Sequence, residues 1–258
     1  MQADLQWLLR SPIAHRGLHD ISRAIPENSM AAFTRCVENG VAIELDVHLL
    51  ADGRIVVFHD DNLLRATGVD RPIKSLTSMD LKNLRLFGCD QRIPLFEEVL
   101  SFVAGRVPIL VEVKNRGPVG ALESSLQAML ATYGGPYAIQ SFNPFALKWF
   151  KSNAPHVARG QLSGSFREER ELSAIKIFIL RNMLSNALSA PHFINYEFGY
   201  LENVSLRLQG LIGIPILAWT IRSPQEAGSL PRCVRNYMFE GFLPQQASLT
   251  ELKAPLSA

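Results

Sequence analysis

Acidic residues stand in this chain where a buried strand should be apolar. In Ile43-Glu44-Leu45-Asp46-Val47 the two carboxylates are two residues apart. On an extended strand both fall on one face, and Ile43, Leu45 and Val47 take the other. Glu112, inside Ile109-Leu110-Val111-Glu112-Val113-Lys114, repeats the pattern, with Lys114 on its own face. Each buried carboxylate costs on the order of several kcal/mol in desolvation, and neighbouring ones repel. They need a proton, a basic partner or a cation. Any one of them alone reads as half of a salt bridge, for example Glu112 with Arg16. Glu44, Asp46 and Glu112 together at strand ends suit one hard divalent cation, Mg²⁺ or Ca²⁺. No cysteine lies nearby to favour zinc.

Histidines and cations complete the set. His15 ends a short apolar run, Ile13-Ala14, and His59 ends another, Arg54–Phe58. If the chain turns back at Asp52-Gly53, residue 59 falls roughly opposite residue 46, beside the acids. A pair of histidines flanking a phosphate can work as general acid and base. His48 shares parity with Glu44 and Asp46 and is held in reserve; His19, His156 and His192 read as structural. Arg16 and Lys114 are placed to hold phosphate oxygens, one as a fork and one as a point charge. Glu27, at a helix start in Pro26-Glu27-Asn28, reads as helix electrostatics or as an acid that orients Arg16 or a metal-bound water. Phe142, Trp219 and Tyr196 are candidates to line a pocket, although lone aromatics are more often core.

These residues need a scaffold. Strand-length apolar runs alternate with helical stretches along most of the 258 residues. The strands are expected near residues 12–15, 41–49, 54–58, 107–113, 137–141, 156–161, 192–196, 215–221 and 235–239. Repeated β–α units imply a parallel sheet with right-handed crossovers. That is one strand more than the eight places of a TIM (β/α)8 barrel. The surplus falls at the Asp52-Gly53 turn, because parallel strands cannot be joined so briefly. The reading is a single barrel domain over residues 1–258, with an insertion or lid at about 60–94 and a possible short helix at Ser78–Leu86. Residues 168–188 read as one long apolar helix, packed on the outside of the barrel.

Composition excludes other classes. A net charge of +2, with no basic run, argues against nucleic acid. Hydrophobic residues at 47% and charged ones at 19% argue for a packed core. The odd cysteine count, Cys36, Cys89 and Cys233 without a C-x-x-C, suits a reducing cytoplasm. The first ten residues lack a basic start and a long apolar stretch, so no signal peptide is expected. The apolar run 211–220 is about half the ~20 residues of a membrane helix, so no stable membrane insertion is expected. Oligomeric state leaves no trace.

The motifs taken in order resemble the glycerophosphodiester phosphodiesterase family. They are His15-Arg16-Gly17, Pro26-Glu27-Asn28, Ala32-Phe33, Glu44-Leu45-Asp46-Val47, Asp52-Gly53, Val57-Phe58-His59-Asp60, Val111-Glu112-Val113-Lys114, Ser141-Phe142 and Ala218-Trp219-Thr220. The resemblance spans roughly residues 11–244 and is thin over 155–210. It implies a TIM barrel with Glu44, Asp46 and Glu112 on one divalent cation. It also implies His15 and His59 as the acid/base pair, and Arg16 and Lys114 on the phosphate. The implied reaction is hydrolysis of a small glycerophosphodiester to glycerol 3-phosphate and an alcohol, with the substrate's own 2-hydroxyl attacking phosphorus through a cyclic phosphate. Phe239-Glu240-Gly241-Phe242-Leu243-Pro244 departs from the family's usual last segment, its acid replaced or shifted, to Glu240 at the nearest. Similar enzymes act as lysophospholipase D or sphingomyelinase D. The stretch 171–188, with Ile175, Ile177, Phe178, Ile179 and Leu180, would be their apolar approach. A barrel that binds phosphodiesters without cleaving them is the remaining alternative.

Overall fold

The computed structural model describes residues 5–167 and 172–244. From the N-terminus the elements are β1 (Ile13–Ala14), α1 (Met30–Glu38), β2 (Ala42–Leu49), β3 (Ile55–Val57), α2 (Leu64–Thr67), α3 (Phe96–Val103), β4 (Ile109–Val113), α4 (Ala121–Leu130) and β5 (Tyr137–Ser141). They continue as α5 (Pro144–Asn153), β6 (Arg159–Ser163), α6 (Ala174–Arg181), α7 (Asn186–Ser189), β7 (Phe193–Glu197), α8 (Val204–Leu211), β8 (Ile216–Ile221), α9 (Pro224–Gly228) and β9 (Val234–Phe239). Side chains that accept the free N–H groups set several helix starts: Ser29 for α1, Asn143 for α5, Asn203 for α8 and Ser223 for α9. Pro144 and Pro224 follow two of these caps, where a missing N–H costs nothing.

The sheet runs β1-β9-β8-β7-β6-β5-β4-β2, and a β1–β2 pairing closes it. All of these neighbours are parallel, which makes an eight-stranded TIM barrel. β3 is the surplus strand, antiparallel to β2 with Val47 opposite Val57. The hairpin register therefore sets Phe58, not His59, against Asp46, and the Phe58 N–H donates to the Asp46 carbonyl. His59 comes one residue later, on the segment that leaves the barrel.

Alternation divides the strands into two faces. Ile43, Leu45, Val47, Ile109, Val111 and Ile139 pack outward into the layer under the helices. Inside the barrel, Leu8, Ile13, Ala42, Leu110, Ala138, Phe193, Leu217 and Met238 form an apolar floor. The same inward rows turn polar towards the strand C-termini. Ala42 is followed by Glu44 and Asp46, Leu110 by Glu112, Ala138 by Gln140 and Phe193 by Asn195, all buried. The floor is close-packed: a Cβ on Gly160 would lie 2.1 Å from the Phe193 ring, so that inward position has room only for glycine.

Two sequence expectations are corrected. Residues 60–94 lie between β3 and α3 as an insertion. Leu63, Ala66, Ile73, Leu76, Leu81, Leu86 and Ile93 pack with Leu50, Val56 and Phe58 as a small core of their own. Short 3-10 turns at Asp80–Asn83 and Leu86–Gly88 replace the helix expected at Ser78–Leu86. The long outer helix over 168–188 breaks into α6 and α7, with Met183 in a left-handed conformation between them; residues 168–171 lie outside the described part. α6 does not pack on the sheet. None of its side chains is buried, and Ile175 and Phe178 are 74% and 60% exposed. It is held by its last carbonyls: Ser163 Oγ donates to Leu180 O at 2.8 Å, and Tyr196 Oη to Arg181 O at 2.9 Å. Ser163 ends β6 and Tyr196 lies near the end of β7, so α6 stands at the C-terminal face of the barrel.

Candidate active site

Strand parity brings the predicted acids together. β2 and β4 are hydrogen-bonded neighbours with Asp46 beside Glu112. One carboxylate oxygen from each of Glu44, Asp46 and Glu112 lies within 4.8 Å of the others. All three side chains are buried. Burial, then Asp46 and Glu112, push the Glu44 carboxyl well above its usual range. Burial would also raise Asp46, but Lys114, His59 and Arg16, with a hydrogen bond from Asn28, hold it well below. Lys114 Nζ sits 2.9 Å from Glu112 Oε1 and 3.3 Å from Asp46 Oδ1. Glu112 thus pairs with Lys114 rather than with Arg16. Gln140 Nε2 donates to Glu44 Oε1 at 3.4 Å.

The loop after β1 is shaped around these acids. Arg16 adopts a left-handed backbone, φ 55°, and its N–H donates to Glu44 Oε2 at 2.9 Å. Gly17 follows at φ 79°, where a Cβ would meet Ala32 at 3.0 Å and Phe33 at 3.1 Å. Asn28, also left-handed at φ 53°, donates its N–H to Arg16 O and its side-chain amide to Asp46 Oδ2. Left-handed non-glycine residues are uncommon, and two in one site mark a backbone held by its surroundings. Arg16 NH1 pairs with Glu27 Oε1 at 2.8 Å, while Arg16 Nε, 3.7 Å from Asp46 Oδ2, is buried without a hydrogen-bond partner.

Both predicted histidines end at this face, on segments that flank β2. Each gives its Nδ1 to a carboxylate: His15 to Glu240 Oε2 at 2.9 Å, His59 to Asp60 Oδ1 at 2.5 Å. That leaves Nε2 of each ring available to exchange a proton. Burial, only partly offset by Glu240, lowers the His15 pKa from 6.5 to about 4. The ring is therefore neutral at physiological pH. Glu240, the atypical acid of the last segment, is kept ionised first by the hydrogen bond to His15, and Arg222 Nε grips its other oxygen at 2.6 Å. Phe142 and Trp219 meet edge to face at 5.6 Å, and Phe142 meets Phe166 at 5.8 Å, forming an apolar wall on β5 and β8 and the loop after β6. Tyr196 takes no part in it, because its ring packs outward in the layer under the helices. Arg65 and Gln140 were not singled out in the sequence, and Asn28 and Asp60 entered only as members of the Pro26-Glu27-Asn28 and Val57-Phe58-His59-Asp60 motifs, without a role.

His48 lies on the inward row beyond Asp46, buried, with Nε2 3.3 Å from the carbonyl of His59. Burial lowers its pKa from 6.5 to about 4, as for His15. The unfolded chain then takes up protons at both positions before the folded chain does. Their contribution to stability is whole above about pH 6.5 and is lost as the pH falls towards 4. At about 1.4 kcal/mol per pKa unit, each histidine is worth on the order of 3 kcal/mol across that window. Glu44, raised rather than lowered, pulls the other way in the metal-free chain. The histidine term is therefore read as a difference: His48→Gln should lose less thermal stability between pH 7 and pH 5 than the unaltered chain. Equal losses would contradict this.

The residues fit a divalent cation. Asp46 Oδ1 is buried with no hydrogen bond and only the Lys114 ion pair at 3.3 Å, Glu44 is destabilised by its acidic neighbours, and the donor set is all oxygen. No helix among the described residues is long and apolar enough to cross a membrane.

The chain is similar to known phosphodiesterases. A glycerophosphodiester phosphodiesterase of Caldanaerobacter subterraneus is 35% identical over 162 residues, 58% of this chain and 65% of that protein. The matched stretch thus spans just under two thirds of that relative. A human lysophospholipase D is 36% identical over 126 residues, 44% of this chain and 39% of the human protein. An Oleispira antarctica phosphodiesterase, solved with the product sn-glycerol-3-phosphate, superposes with a TM-score of 0.76 at 24% identity over 95% of this chain and 97% of that one. A Thermotoga maritima glycerophosphodiester phosphodiesterase gives 0.68, also at 24%, over 94% and 97%. Residues 15–237, from the first catalytic candidate into the last strand, match the glycerophosphoryl diester phosphodiesterase family, and the chain belongs to it.

Proposed function

We propose that this barrel hydrolyses small glycerophosphodiesters, such as glycerophosphocholine or glycerophosphoethanolamine, to glycerol 3-phosphate and an alcohol. The observation that carries the proposal is the buried cluster of Glu44, Asp46 and Glu112 with two cations and two carboxylate-backed histidines around it. Glu44, Asp46 and Glu112 would hold one Mg²⁺ or Ca²⁺, which when bound supplies Lewis-acid charge to the phosphate and its attacking oxygen. Arg16 Nε, buried without a hydrogen bond 3.7 Å from Asp46 Oδ2, would donate to a non-bridging oxygen. Lys114 adds a second positive charge. His15, neutral and with Nε2 free, suits removal of the proton from the glycerol 2-hydroxyl as its oxygen attacks phosphorus. His59 suits delivery of a proton to the leaving alcohol oxygen. Water then opens the cyclic phosphate with the two roles exchanged. The Phe142–Trp219 wall packs on the glycerol carbons.

Product identity tests this reading. Phosphorus NMR of a glycerophosphocholine digest should show glycerol 3-phosphate and free choline. Phosphocholine and glycerol would mean that the other ester bond is cut, which the roles above do not allow.

One observation favours a second reading, lysophospholipid cleavage. α6 stands at the site's face of the barrel with Ile175 and Phe178 exposed, an apolar approach that a small soluble diester does not need. Choline release from lysophosphatidylcholine exceeding that from glycerophosphocholine would select this reading.

A further inference from the structure

Arg65 belongs to the inserted segment, on the four-residue α2, yet its guanidinium reaches the barrel mouth. It makes hydrogen bonds to two carboxylates. Nε and NH2 donate to Asp60 Oδ2 and Oδ1 at 2.6 and 3.1 Å, and NH2 and NH1 to Glu27 Oε1 and Oε2 at 2.7 and 3.2 Å. One oxygen of each carboxylate is shared with a second partner. Glu27 Oε1 also accepts from Arg16 NH1 at 2.8 Å, and Asp60 Oδ1 also bonds His59 Nδ1 at 2.5 Å. The chain of contacts Arg16–Glu27–Arg65–Asp60–His59 is therefore continuous. It joins the phosphate-facing arginine to the proposed acid through a residue that touches neither the acidic cluster nor the reacting atoms.

The insertion fixes the arm that carries this group. Leu63 and Ala66, on either side of Arg65, are buried in the insertion's own core, and the guanidinium lies over the Phe87 ring at 5.4 Å. Only a planar fork can serve two carboxylates along separate edges; an ammonium is a point charge and cannot hold both in register. Isolated ion pairs at a half-exposed side chain are worth little. Here the value lies in geometry, since without the shared cation Glu27 and Asp60 would face each other as like charges.

We propose that Arg65 is a positioning residue: it clamps Glu27 and Asp60 together and so sets Arg16 and His59 in register, which makes the insertion part of the active site. This deepens the phosphodiesterase reading and rests on it for its kinetic consequences. Arg65→Gln keeps most of the side chain, and Arg65→Lys keeps the charge. Both should remain folded by thermal unfolding and lower kcat for glycerophosphocholine by roughly 10–100-fold, the range for groups that orient a site from behind. Lysine should recover only part of the loss. In an Asp60→Ala, Glu27→Ala background, Arg65→Gln should add less than about twofold, because residues acting through the same partners are not additive. Full recovery by lysine, or an undiminished further loss in that background, would overturn the proposal.

A second readout does not need turnover. Ring-nitrogen NMR of His59 in its neutral form, assigned by its absence in His59→Asn, should show the proton fixed on Nδ1 in the unaltered chain and averaged over both nitrogens in Arg65→Gln; the form that delivers a proton in turnover carries a second one, on Nε2. A proton still fixed on Nδ1 in the variant would overturn the clamp. If the unaltered chain cleaves no glycerophosphodiester, the reading of the reaction fails, and the NMR result still decides the role of Arg65.

Discussion

Replacing His15 or His59 by alanine is expected to lower turnover of glycerophosphocholine by roughly 10²–10⁴-fold, the usual worth of a placed general acid or base. Each ring gives Nδ1 to a carboxylate and keeps Nε2 free. Truncation removes the proton-transfer atom and leaves the acids, Arg16 and Lys114 where they are. KM should therefore move far less than kcat. Folding should survive, because neither ring belongs to the apolar layers that hold the barrel. Steady-state kinetics with thermal unfolding on the same samples checks this. Near-normal turnover in either folded variant removes that histidine from the assignment.

Glu44→Gln should give two effects of opposite sign. Metal affinity should fall by roughly 10–100-fold or more, since even groups behind a ligand are worth that much. The metal-free chain should become more stable at neutral pH. Burial and the charges of Asp46 and Glu112 push the Glu44 carboxyl up, and a raised carboxylate pKa in the folded state means that ionisation there works against folding. A neutral amide removes that term and can still accept the Arg16 N–H, now made to Glu44 Oε2 at 2.9 Å. Calorimetric titration with Mg²⁺ or Ca²⁺, beside thermal unfolding without metal, separates the two. Unchanged metal binding would take Glu44 off the ligand set, and a lower metal-free unfolding temperature would contradict the electrostatic account.

Much of this was legible because it follows from a period of two. Carboxylates at 44 and 46 inside an apolar strand have one inward face to share, and Glu112 repeats the logic on the neighbouring strand. The surplus strand was legible too, because a three-residue turn at Ala51-Asp52-Gly53 cannot link parallel neighbours. What local pattern could not supply was contact across distance. Arg65 lies 38 residues from Glu27 in sequence, and Glu240 lies 225 from His15. Nothing in either neighbourhood forecasts the meeting. α6 failed for another reason. Its apolar residues were read as a buried face, but the chain turns at Met183 and leaves them outside; composition alone cannot say which side of a surface an apolar residue ends on. Tyr196 shows the same limit in reverse, since its inward or outward direction depends on strand register.

Once loaded with a divalent cation, the Glu44–Asp46–Glu112 cluster is expected to cleave glycerophosphodiesters. The measurement that tests it most directly is glycerol 3-phosphate release from glycerophosphocholine and glycerophosphoethanolamine, first with EDTA and then with Mg²⁺, Ca²⁺ or Mn²⁺ restored. No release is expected with the chelator, and recovery with at least one of the metals. Release undiminished by EDTA, or none with any metal, would contradict it.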